Sequence, residues 1–448
     1  MKRFSIGGVH PPENKLAQGS ATTVMALPKK VYIPLSQHIG APATAIVAKG
    51  DMVVTGQMIG EATGFMSANI HSSVTGKVIS VGPEKNAQGL VTPTVVIERS
   101  AEGEEIWAEG IDTSKDLISE CTLEPAEILA RIKAAGIVGM GGATFPTHVK
   151  LSIPPQKKAT ALVVNGAECE PYLTSDHRSM LERGEEMLVG VTIVMKAIGV
   201  SNAYVGIENN KRDAIAQLTK LATKYRGVEI VPLRVQYPQG GEKQLIEAIL
   251  GREVPPPPAL PIDVGAVVVN ISTAIAIYEA VQKCKPLIER VVTVSGKSVK
   301  QPLNLLTRMG TPSSELFEAV GGLPEDTGKV VGGGPMMGRA MINLDSPVTK
   351  GSSGITIFTL AESVRPEPSP CVKCGKCVAA CPMSLEPYLL SKLMKRGAMD
   401  QLEEHFVTDC IECGSCQFTC PSSLPLLDYI RLGKQRVMGI IRARAMAK

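Results

Sequence analysis

The chain has 448 residues and a formal net charge of +4, a positive charge too small to indicate a nucleic-acid-binding protein. Hydrophobic residues make up 44% of the sequence and charged residues 20%, which is ordinary globular composition, and the length predicts about three domains. The most apolar window, residues 187–200, is short and contains Lys196, so we expect no segment to span a bilayer. The N-terminus lacks the apolar stretch of a signal peptide, so the protein is expected to be cytosolic or peripheral to a membrane.

The first predicted domain, residues 1–115, is β-rich. Runs of Val and Ile at residues 31–34, 44–47, 77–81 and 94–98 are separated by Gly and Pro turns, which predicts short strands.

A barrel-sandwich is predicted within this first domain. Residues 49–61 and 70–78 resemble one face of a lipoyl- or biotinyl-type domain, which carries a modified lysine at a hairpin tip. The tip region here, residues 62–69, contains no lysine, so we interpret the sandwich as a structural or docking module. The opening residues 7–15, Gly-Gly-Val-His-Pro-Pro-Glu-Asn-Lys, are too rich in turn formers for regular structure. They are predicted to form a loop, with contact to a partner or cofactor as the alternative.

The second predicted domain, residues 120–286, alternates helices and strands, which predicts a parallel sheet covered on both faces. The predicted strands are residues 160–165, 203–208, 229–235 and 264–270. The predicted helices are residues 125–135, 178–198, 213–225, 243–250 and 272–284.

Three loops of this second domain are the candidate chemical sites. Residues 139–150 are glycine-rich and end in a lysine, a combination that brings backbone and counter-charge close to a phosphate, although the sequence is not the G-x-G-x-x-G fingerprint. Residues 165–171 follow a strand at the edge where α/β sheets bind ligands. Residues 240–243 and 270–273 together make the third site. Taken singly, the first loop is also consistent with a plain turn and the second with solvated surface acids.

The third predicted domain, residues 287–362, returns to short strands. These strands are residues 290–295, 329–332 and 354–360, with a short helix at residues 314–320. The Gly-Gly-Gly-Pro-Met-Met-Gly loop at residues 332–338 is either a phosphate cradle or a tight turn packed against the preceding domain, and the tight turn is favoured.

Eight of the 11 cysteines form two identical runs in the last predicted domain, residues 363–448. Each run reads C-x2-C-x2-C-x3-C-P, the ferredoxin pattern for a four-iron cluster, in which the fourth cysteine ligates the other cluster of a pair. The pattern therefore predicts two [4Fe–4S] clusters, one held by Cys371, Cys374, Cys377 and Cys420 and the other by Cys410, Cys413, Cys416 and Cys381. A zinc site and a disulfide knot are the alternatives. The remaining three cysteines are scattered. This usage indicates a reducing compartment, because thiols at metal sites must stay reduced.

Helical periodicity between the two cysteine runs, at residues 386–404, predicts an α-helical ferredoxin-type domain. The tail, residues 431–448, carries six basic residues and no acidic ones. Such a tail is suited to an anionic membrane surface or a partner, and a solvated helix or a disordered end is the alternative.

Taken together, the three loops resemble the flavoprotein subunit of respiratory complex I, in which equivalent loops hold FMN and NADH. With the opening loop, the barrel-sandwich and the twin cysteine runs, the whole chain resembles the RnfC family of the Rnf electron-transport complexes. The resemblance implies a multidomain α/β and β fold: an N-terminal barrel-sandwich, a central α/β FMN domain, a β-grasp (SLBB-like) module and a C-terminal α-helical ferredoxin-type domain.

The resemblance also implies roles for individual residues. Those implied to hold the FMN phosphate and ribityl chain are Gly139, Gly141, Gly142 and Lys150. Those implied to line the flavin are Asn165, Glu168, Glu242, Asn270 and Thr273, while Phe145 and Glu170 face the nicotinamide nucleotide. The chain departs from the complex I pattern at Met140, Thr144, Ala167 and Lys243, where Arg, Gly, Asp and Glu are usual.

The implied function is that of a peripheral subunit on the cytoplasmic face of the cell membrane. It would exchange electrons between NAD(H), through FMN, and two [4Fe–4S] clusters that serve a ferredoxin-type partner, without any residue acting as acid or base. Integral membrane subunits would couple this transfer to Na+ or H+ movement, so the complex would be a ferredoxin:NAD+ oxidoreductase of the translocase class. A diaphorase-type subunit of a soluble hydrogenase or dehydrogenase and a non-catalytic cluster scaffold are the alternatives.

Overall fold

A computed structural model describes residues 1–100 and 105–446 of the chain. Residues 101–104 of the first predicted domain and residues 447–448 of the predicted basic tail lie outside the described residues. Within the described part, the strands form four sheets, and most of the helices belong to the central domain and to the C-terminal unit.

The N-terminal sandwich consists of two small antiparallel sheets that face each other across an apolar core. Its strands are Lys30–Pro34, Thr44–Ala45, Met52–Val53, Met58–Glu61, Ile70–His71, Gly76–Lys85 and Val91–Arg99. Alternate residues of the first strand, Val31 and Ile33, are fully buried in this core together with Ile59 and Ile97. The period of two is the pattern that half-buried strands require.

The central sheet has four parallel strands, in the order Val228–Leu233, Ala203–Glu208, Ala161–Gly166 and Ala266–Asn270. Its helices are Pro125–Ala134, Thr147–Leu151, Ser175–Glu182, Gly184–Ile198, Arg212–Ala222, Glu242–Leu250 and Ile271–Lys283, with a 3-10 turn at Pro261–Val264. Leu162 and Val164 face one apolar core, whereas Val163 between them faces another. The predicted parallel sheet with both faces covered is therefore confirmed.

The prediction of a single helix over residues 178–198 in this domain is wrong. The structure has two helices, Ser175–Glu182 and Gly184–Ile198, separated at Arg183 with φ −128° and ψ 30°. Apolar residues occur on both sides of the break, so the sequence pattern did not reveal it.

The third unit is a six-stranded mixed sheet. Its strands, in sheet order, are Thr23–Val24, Leu303–Arg308, Glu289–Ser295, Gly354–Thr359, Thr327–Gly332 and Arg339–Ala340, with helices Ser313–Ala319 and Leu360–Ser363. The strand Leu303–Arg308 was not predicted, because its sequence contains one β-branched residue and reads weakly as a strand. Thr23–Val24 pairs in parallel with it, so the N-terminal segment extends this third sheet.

The C-terminal unit is helical. Its helices are Lys376–Ala379, Pro387–Lys395, Met399–Glu404, Ser415–Phe418 and Leu426–Met446, with a 3-10 turn at Val407–Asp409. The continuous helical segment predicted over residues 386–404 is two helices, because Gly397 between them takes a left-handed φ of 71°. Residues 431–446 of the predicted basic tail form the outer part of the last helix, and residues 438–446 are mostly exposed.

No helix within residues 1–100 and 105–446 combines the length and the apolar character that a membrane crossing would require.

Candidate functional site

The glycine-rich loop turns back on itself between the first and second helices of the central domain. Its base is closed by a hydrogen bond from the Gly139 amide to the Phe145 carbonyl oxygen, 2.9 Å. A Cβ atom on Gly141 would lie 2.7 Å from Asn270 Nδ2, so this glycine is needed for the fold itself. A Cβ on Gly142 would meet no atom within 4 Å. The exposed backbone at Gly142 is therefore open to a ligand.

Asn270 and Thr273 join this loop to the C-terminal edge of the sheet. Asn270 is the N-cap of the helix Ile271–Lys283, and its Oδ1 accepts from the Ser272 amide at 2.8 Å. The Thr273 hydroxyl accepts from the Met140 amide at 2.9 Å. Two of the three predicted loops are thus in direct contact.

An acid that the sequence analysis did not single out, Asp176, lies at this junction. It accepts hydrogen bonds from Asn270 Nδ2 at 2.6 Å and from the Ser272 hydroxyl at 2.7 Å. Burial, and then the charge of Glu168, raises the pKa of Asp176 to about 6. The sequence signal was weak, because Asp176 lies in the first turn of a helix that was predicted to start later.

The acidic turn, residues 165–171, uses its polar groups largely to hold the structure together. The Glu168 carboxylate accepts from the main-chain amides of Asp176 at 2.8 Å and His177 at 3.1 Å, and so caps the helix Ser175–Glu182. Asn165 Nδ2 donates to the Gly240 carbonyl oxygen at 2.8 Å. The predicted flavin contacts of Glu168 and Asn165 remain predictions.

Glu170 faces the third sheet. Its carboxylate accepts from the main-chain amides of Met336 at 3.1 Å and Met337 at 2.7 Å. Burial raises the pKa of Glu170 to about 7. The loop at residues 332–338 is thus a turn packed against the central domain, as the sequence analysis favoured. The predicted nicotinamide contact of Glu170 stays a prediction.

Lys150 and Glu242 bring the first and third predicted loops together. The Lys150 ammonium lies 2.8 Å from Glu242 Oε1 and donates to the Val268 carbonyl oxygen at 3.1 Å. The two side chains are 33% and 41% exposed, so the ammonium is accessible to a ligand. An accessible ammonium beside a glycine loop with open backbone is a donor set that fits a phosphate.

The barrel-sandwich tip supports the glycine-rich loop from outside. The Ile39 amide donates to the Thr144 carbonyl oxygen at 3.3 Å. His148 Nε2 lies 3.2 Å from the Phe65 carbonyl oxygen, and the two rings meet edge to face at 6.2 Å. The sandwich was interpreted as a structural or docking module, and here it docks on the loop.

Lys350, which the sequence analysis did not single out, bridges the three N-terminal units. Its buried ammonium donates to the carbonyl oxygens of Asn69 at 2.8 Å and Gly136 at 2.7 Å. Burial lowers the pKa of Lys350 to about 7. No local sequence signal marks such a residue, because its partners lie more than 200 residues away.

Four of the eight motif cysteines line one small cavity in the helical unit. They are Cys381 from the first run and Cys410, Cys413 and Cys416 from the second. We call this set the inner cysteines. Burial raises the pKa of all four of these thiols, that of Cys410 to about 12, so a bound cationic group would favour their thiolate forms. Their donor set fits an iron–sulfur cluster, whereas no three His, Cys, Asp or Glu side chains in the described residues are arranged around a single metal ion.

The other four, Cys371, Cys374, Cys377 and Cys420, are the outer cysteines. Cys371 and Cys374 are exposed. Burial raises the pKa of Cys377, and the charge of Cys420 acts more weakly in the same direction. Three of the inner cysteines are buried, whereas two of the outer cysteines are exposed and the other two are half-buried. The assignment of these two sets to two clusters stays a prediction.

The inner cysteines lie against the central domain. The Tyr237 hydroxyl donates to the Cys413 carbonyl oxygen at 2.8 Å, and Gln244 Nε2 donates to the Pro382 carbonyl oxygen at 3.3 Å. Both residues flank the third predicted loop, residues 240–243. The sequence could not show which set of cysteines lies on this side.

Family comparisons agree with this arrangement. The chain matches the RnfC barrel sandwich hybrid domain over residues 3–102 and the Nuo51 FMN-binding domain over residues 132–279. It also matches the SLBB domain over residues 291–340 and a 4Fe-4S dicluster domain over residues 363–421. These matches define an electron-transfer protein with an FMN domain and two iron–sulfur clusters, and they confirm the predicted fold class and cofactors.

Similar whole chains identify the family. The chain is 47% identical to the C subunit of the proton-translocating ferredoxin:NAD(+) oxidoreductase complex of Clostridium ljungdahlii, over 89% of this chain and 86% of that protein. It is 45% identical to the C subunit of the Na(+)-translocating ferredoxin:NAD(+) oxidoreductase complex of Acetobacterium woodii, over 96% of both chains. It is 43% identical to the C subunit of an ion-translocating oxidoreductase complex of Rhodobacter capsulatus, over 89% and 77%. The chain belongs to this RnfC family, as the sequence analysis predicted.

Proposed function

We propose that the chain is the NAD(H)-linked electron-transfer subunit of an ion-translocating ferredoxin:NAD+ oxidoreductase complex. The observation that carries the proposal is the position of the inner cysteines beside the central domain, which we now call the flavin-type domain. Tyr237 and Gln244, on either side of the loop at residues 240–243, bind the main chain at Cys413 and Pro382. Bound FMN supplies the exchange between the two electrons of a hydride and the single electrons that iron–sulfur clusters carry. The chain's own residues then hold the redox groups in a fixed order.

The assignment of residues to this function has two parts. The open backbone at Gly142 and the accessible Lys150 ammonium fit the FMN phosphate, and Gly139 and Gly141 shape the loop between them. The residues proposed to line the flavin lie on the second and third predicted loops: Asn165, Glu168, Glu242, Asn270 and Thr273. Contact with the nicotinamide nucleotide is proposed for Phe145 and Glu170. None of these side chains needs to act as an acid or base on the substrate.

The two cysteine sets supply an inner and an outer position for the clusters. The inner cysteines face the flavin-type domain, and the outer cysteines include two that are exposed, Cys371 and Cys374. A protein that exchanges electrons with another subunit needs a redox group at its surface, so the outer cysteines mark the side that meets a ferredoxin-type iron–sulfur partner. The exposed Lys373 and Lys376 lie in the same segment and favour a partner with an acidic surface.

Attachment to a membrane is proposed through other subunits on the cytoplasmic face. The relatives at 47% and 45% identity are named for different ions, H+ and Na+, so similarity to this chain does not decide the coupling ion. This is expected if ion movement takes place in integral membrane subunits, which would place the whole complex in the translocase class. The exposed basic end of the helix Leu426–Met446 is a candidate contact with those subunits or with anionic lipid.

The proposal is tested by an anaerobic absorbance titration of the purified protein with NADH, after bound iron and flavin have been assayed. Two four-iron clusters predict about eight iron atoms per chain. We expect NADH to bleach the flavin band and the iron–sulfur bands. Iron without flavin, or no response to NADH, would show that the chain relays electrons between clusters only.

A further inference from the structure

The first 22 residues, which we call the N-terminal strap, contact three of the four units. The strap begins on the central sheet, where Lys2 pairs with Leu233 and the Lys2 ammonium donates to the Ile249 carbonyl oxygen at 2.8 Å. It ends beside the third sheet, where Asn304 Nδ2 donates to the Ala17 carbonyl oxygen at 3.0 Å. The function described so far gives this segment no role.

The middle of the strap contacts an inner cysteine. The Gly8 amide donates to the Ala380 carbonyl oxygen at 3.0 Å, and a Cβ on Gly7 would lie 2.6 Å from the carbonyl carbon and oxygen of Cys381. Gly7 has φ +72°, so a side chain is disfavoured there by conformation as well as by contact. Val9, which follows Gly8, exchanges two main-chain hydrogen bonds with Tyr237, at 2.8 and 2.9 Å. The strap therefore lies between the central domain and the main chain of an inner cysteine.

Further along the strap, Lys15 reaches the acidic turn. The Lys15 ammonium donates to the main-chain oxygens of Glu168 at 2.7 Å, Glu170 at 2.9 Å and Leu173 at 2.7 Å. These bonds use all three N–H donors that a lysine has. Glu168 takes a positive φ of 44°, as does Tyr172 at 68°, so the turn is held in a conformation that is costly for residues with side chains.

We propose that the strap is the positioning element of the redox chain. Lys15 holds the acidic turn in the shape that binds the flavin, and Gly7 and Gly8 hold the inner cysteine Cys381 beside the same domain. Lys15 is a positioning residue, because it acts through the main chain of the turn and not on a substrate. This inference deepens the proposed function and rests on it, since it assumes that the acidic turn borders the flavin.

The conformation of the acidic turn depends strongly on the Lys15 ammonium. If the ammonium is removed, three carbonyl oxygens lose their donor at once, and each buried polar group without a partner is costly. The contact residues on the turn are more than 150 positions away in sequence, so no local interaction replaces the bond. Relaxation of the turn would displace Asn165 and Glu168 together.

The first test compares FMN binding in Lys15→Met, Lys15→Gln and the control Lys2→Met, which removes a strap lysine bound to one carbonyl oxygen far from the turn. FMN is titrated into deflavinated full-length protein by fluorescence, and iron is assayed in the same samples. We expect the dissociation constant of FMN to rise at least tenfold in Lys15→Met and less in Lys15→Gln, with iron retained, and not to change in Lys2→Met. An unchanged constant in the iron-replete Lys15 variants would overturn the proposal. Loss of iron together with flavin in both Lys15 variants would also overturn the proposal. It would show that Lys15 is needed for the folding of the whole protein and has no specific role in flavin binding.

The second test separates the flavin from the inner cluster. Gly7→Ala is compared with Gly19→Ala, a strap position where a Cβ meets nothing within 4 Å. Ferricyanide takes the electrons of NADH from the flavin, one per ion, whereas bleaching of the iron–sulfur bands reports the transfer to the clusters. We expect Gly7→Ala to keep the ferricyanide rate and to slow the bleaching by NADH, while Gly19→Ala changes neither. Equal bleaching rates would refute the role of Gly7. Wild-type protein that binds no FMN would instead refute the proposed function.

Discussion

Replacement of Lys150 by alanine separates a role in flavin binding from a role in stability. In the structure the Lys150 ammonium is held 2.8 Å from Glu242 Oε1, at a site where both side chains are partly exposed. Exposed ion pairs stabilise proteins by about 0–1 kcal/mol. The substitution should therefore leave the fold and the iron content intact.

The expected effect on the flavin is larger than the effect on stability. A hydrogen bond to a charged group contributes about 1.5–3 kcal/mol, and a phosphate that receives the Lys150 ammonium would lose one such bond. At about 1.4 kcal/mol for each factor of ten, the dissociation constant of FMN should rise roughly tenfold to 150-fold. Glu242 would also be left without its cation, and its charge would oppose the phosphate.

The assay is a fluorescence titration of FMN into deflavinated protein, with thermal unfolding measured on the same variants. Lys157→Ala is the matched control, because Lys157 also forms a partly exposed ion pair, with Asp263, on the same domain but away from the glycine-rich loop. Lys150→Ala and Lys157→Ala should lose similar, small amounts of stability, and only Lys150→Ala should lose FMN affinity. If both variants bind FMN as the wild type does, the phosphate does not lie at Lys150.

Three further predictions follow from the site and its supports. Cys381→Ser should remove the electron paramagnetic resonance signal of the inner cluster and Cys420→Ser that of the outer cluster, and the reverse pattern would refute the exchange of fourth ligands. Gly142→Ala should keep its unfolding temperature, because its Cβ meets nothing within 4 Å, yet bind FMN more weakly, whereas Gly82→Ala, equally open, should change neither. Lys350 has a pKa of about 7 in the folded protein against an ordinary lysine value of 10.5, so between these pH values the unfolded chain binds more protons and folding stability rises with pH. Relative to Lys350→Met, wild-type unfolding free energy should therefore rise by about 1 kcal/mol per unit from pH 7 to pH 9, and parallel pH profiles would show that the ammonium is not buried.

Local patterns were sufficient for the cofactors and for most of the central fold. The spacing within each cysteine run predicted two clusters, because three ligands of a cluster come from one short loop. The exchange of Cys381 and Cys420 between the sets is a regularity of two-cluster ferredoxins, and for this chain it stays a prediction. In the structure Cys381 lines one cavity with the three cysteines of the second run. Alternation of apolar residues located the four parallel strands. The same reasoning joined two pairs of helices that are separate and missed the strand Leu303–Arg308, whose residues have little strand preference.

The sequence by itself determined the chemistry of this protein, because glycine, lysine and cysteine act through residue type and short spacing. Only the tertiary structure decided how the polar groups are used. Glu168 caps a helix, Glu170 binds the loop at residues 332–338, and Lys15 holds the turn that carries both. It also decided that the inner cysteines face the flavin-type domain. These contacts join residues that are distant in sequence, so they depend on the packing of whole domains and leave no periodic or local trace.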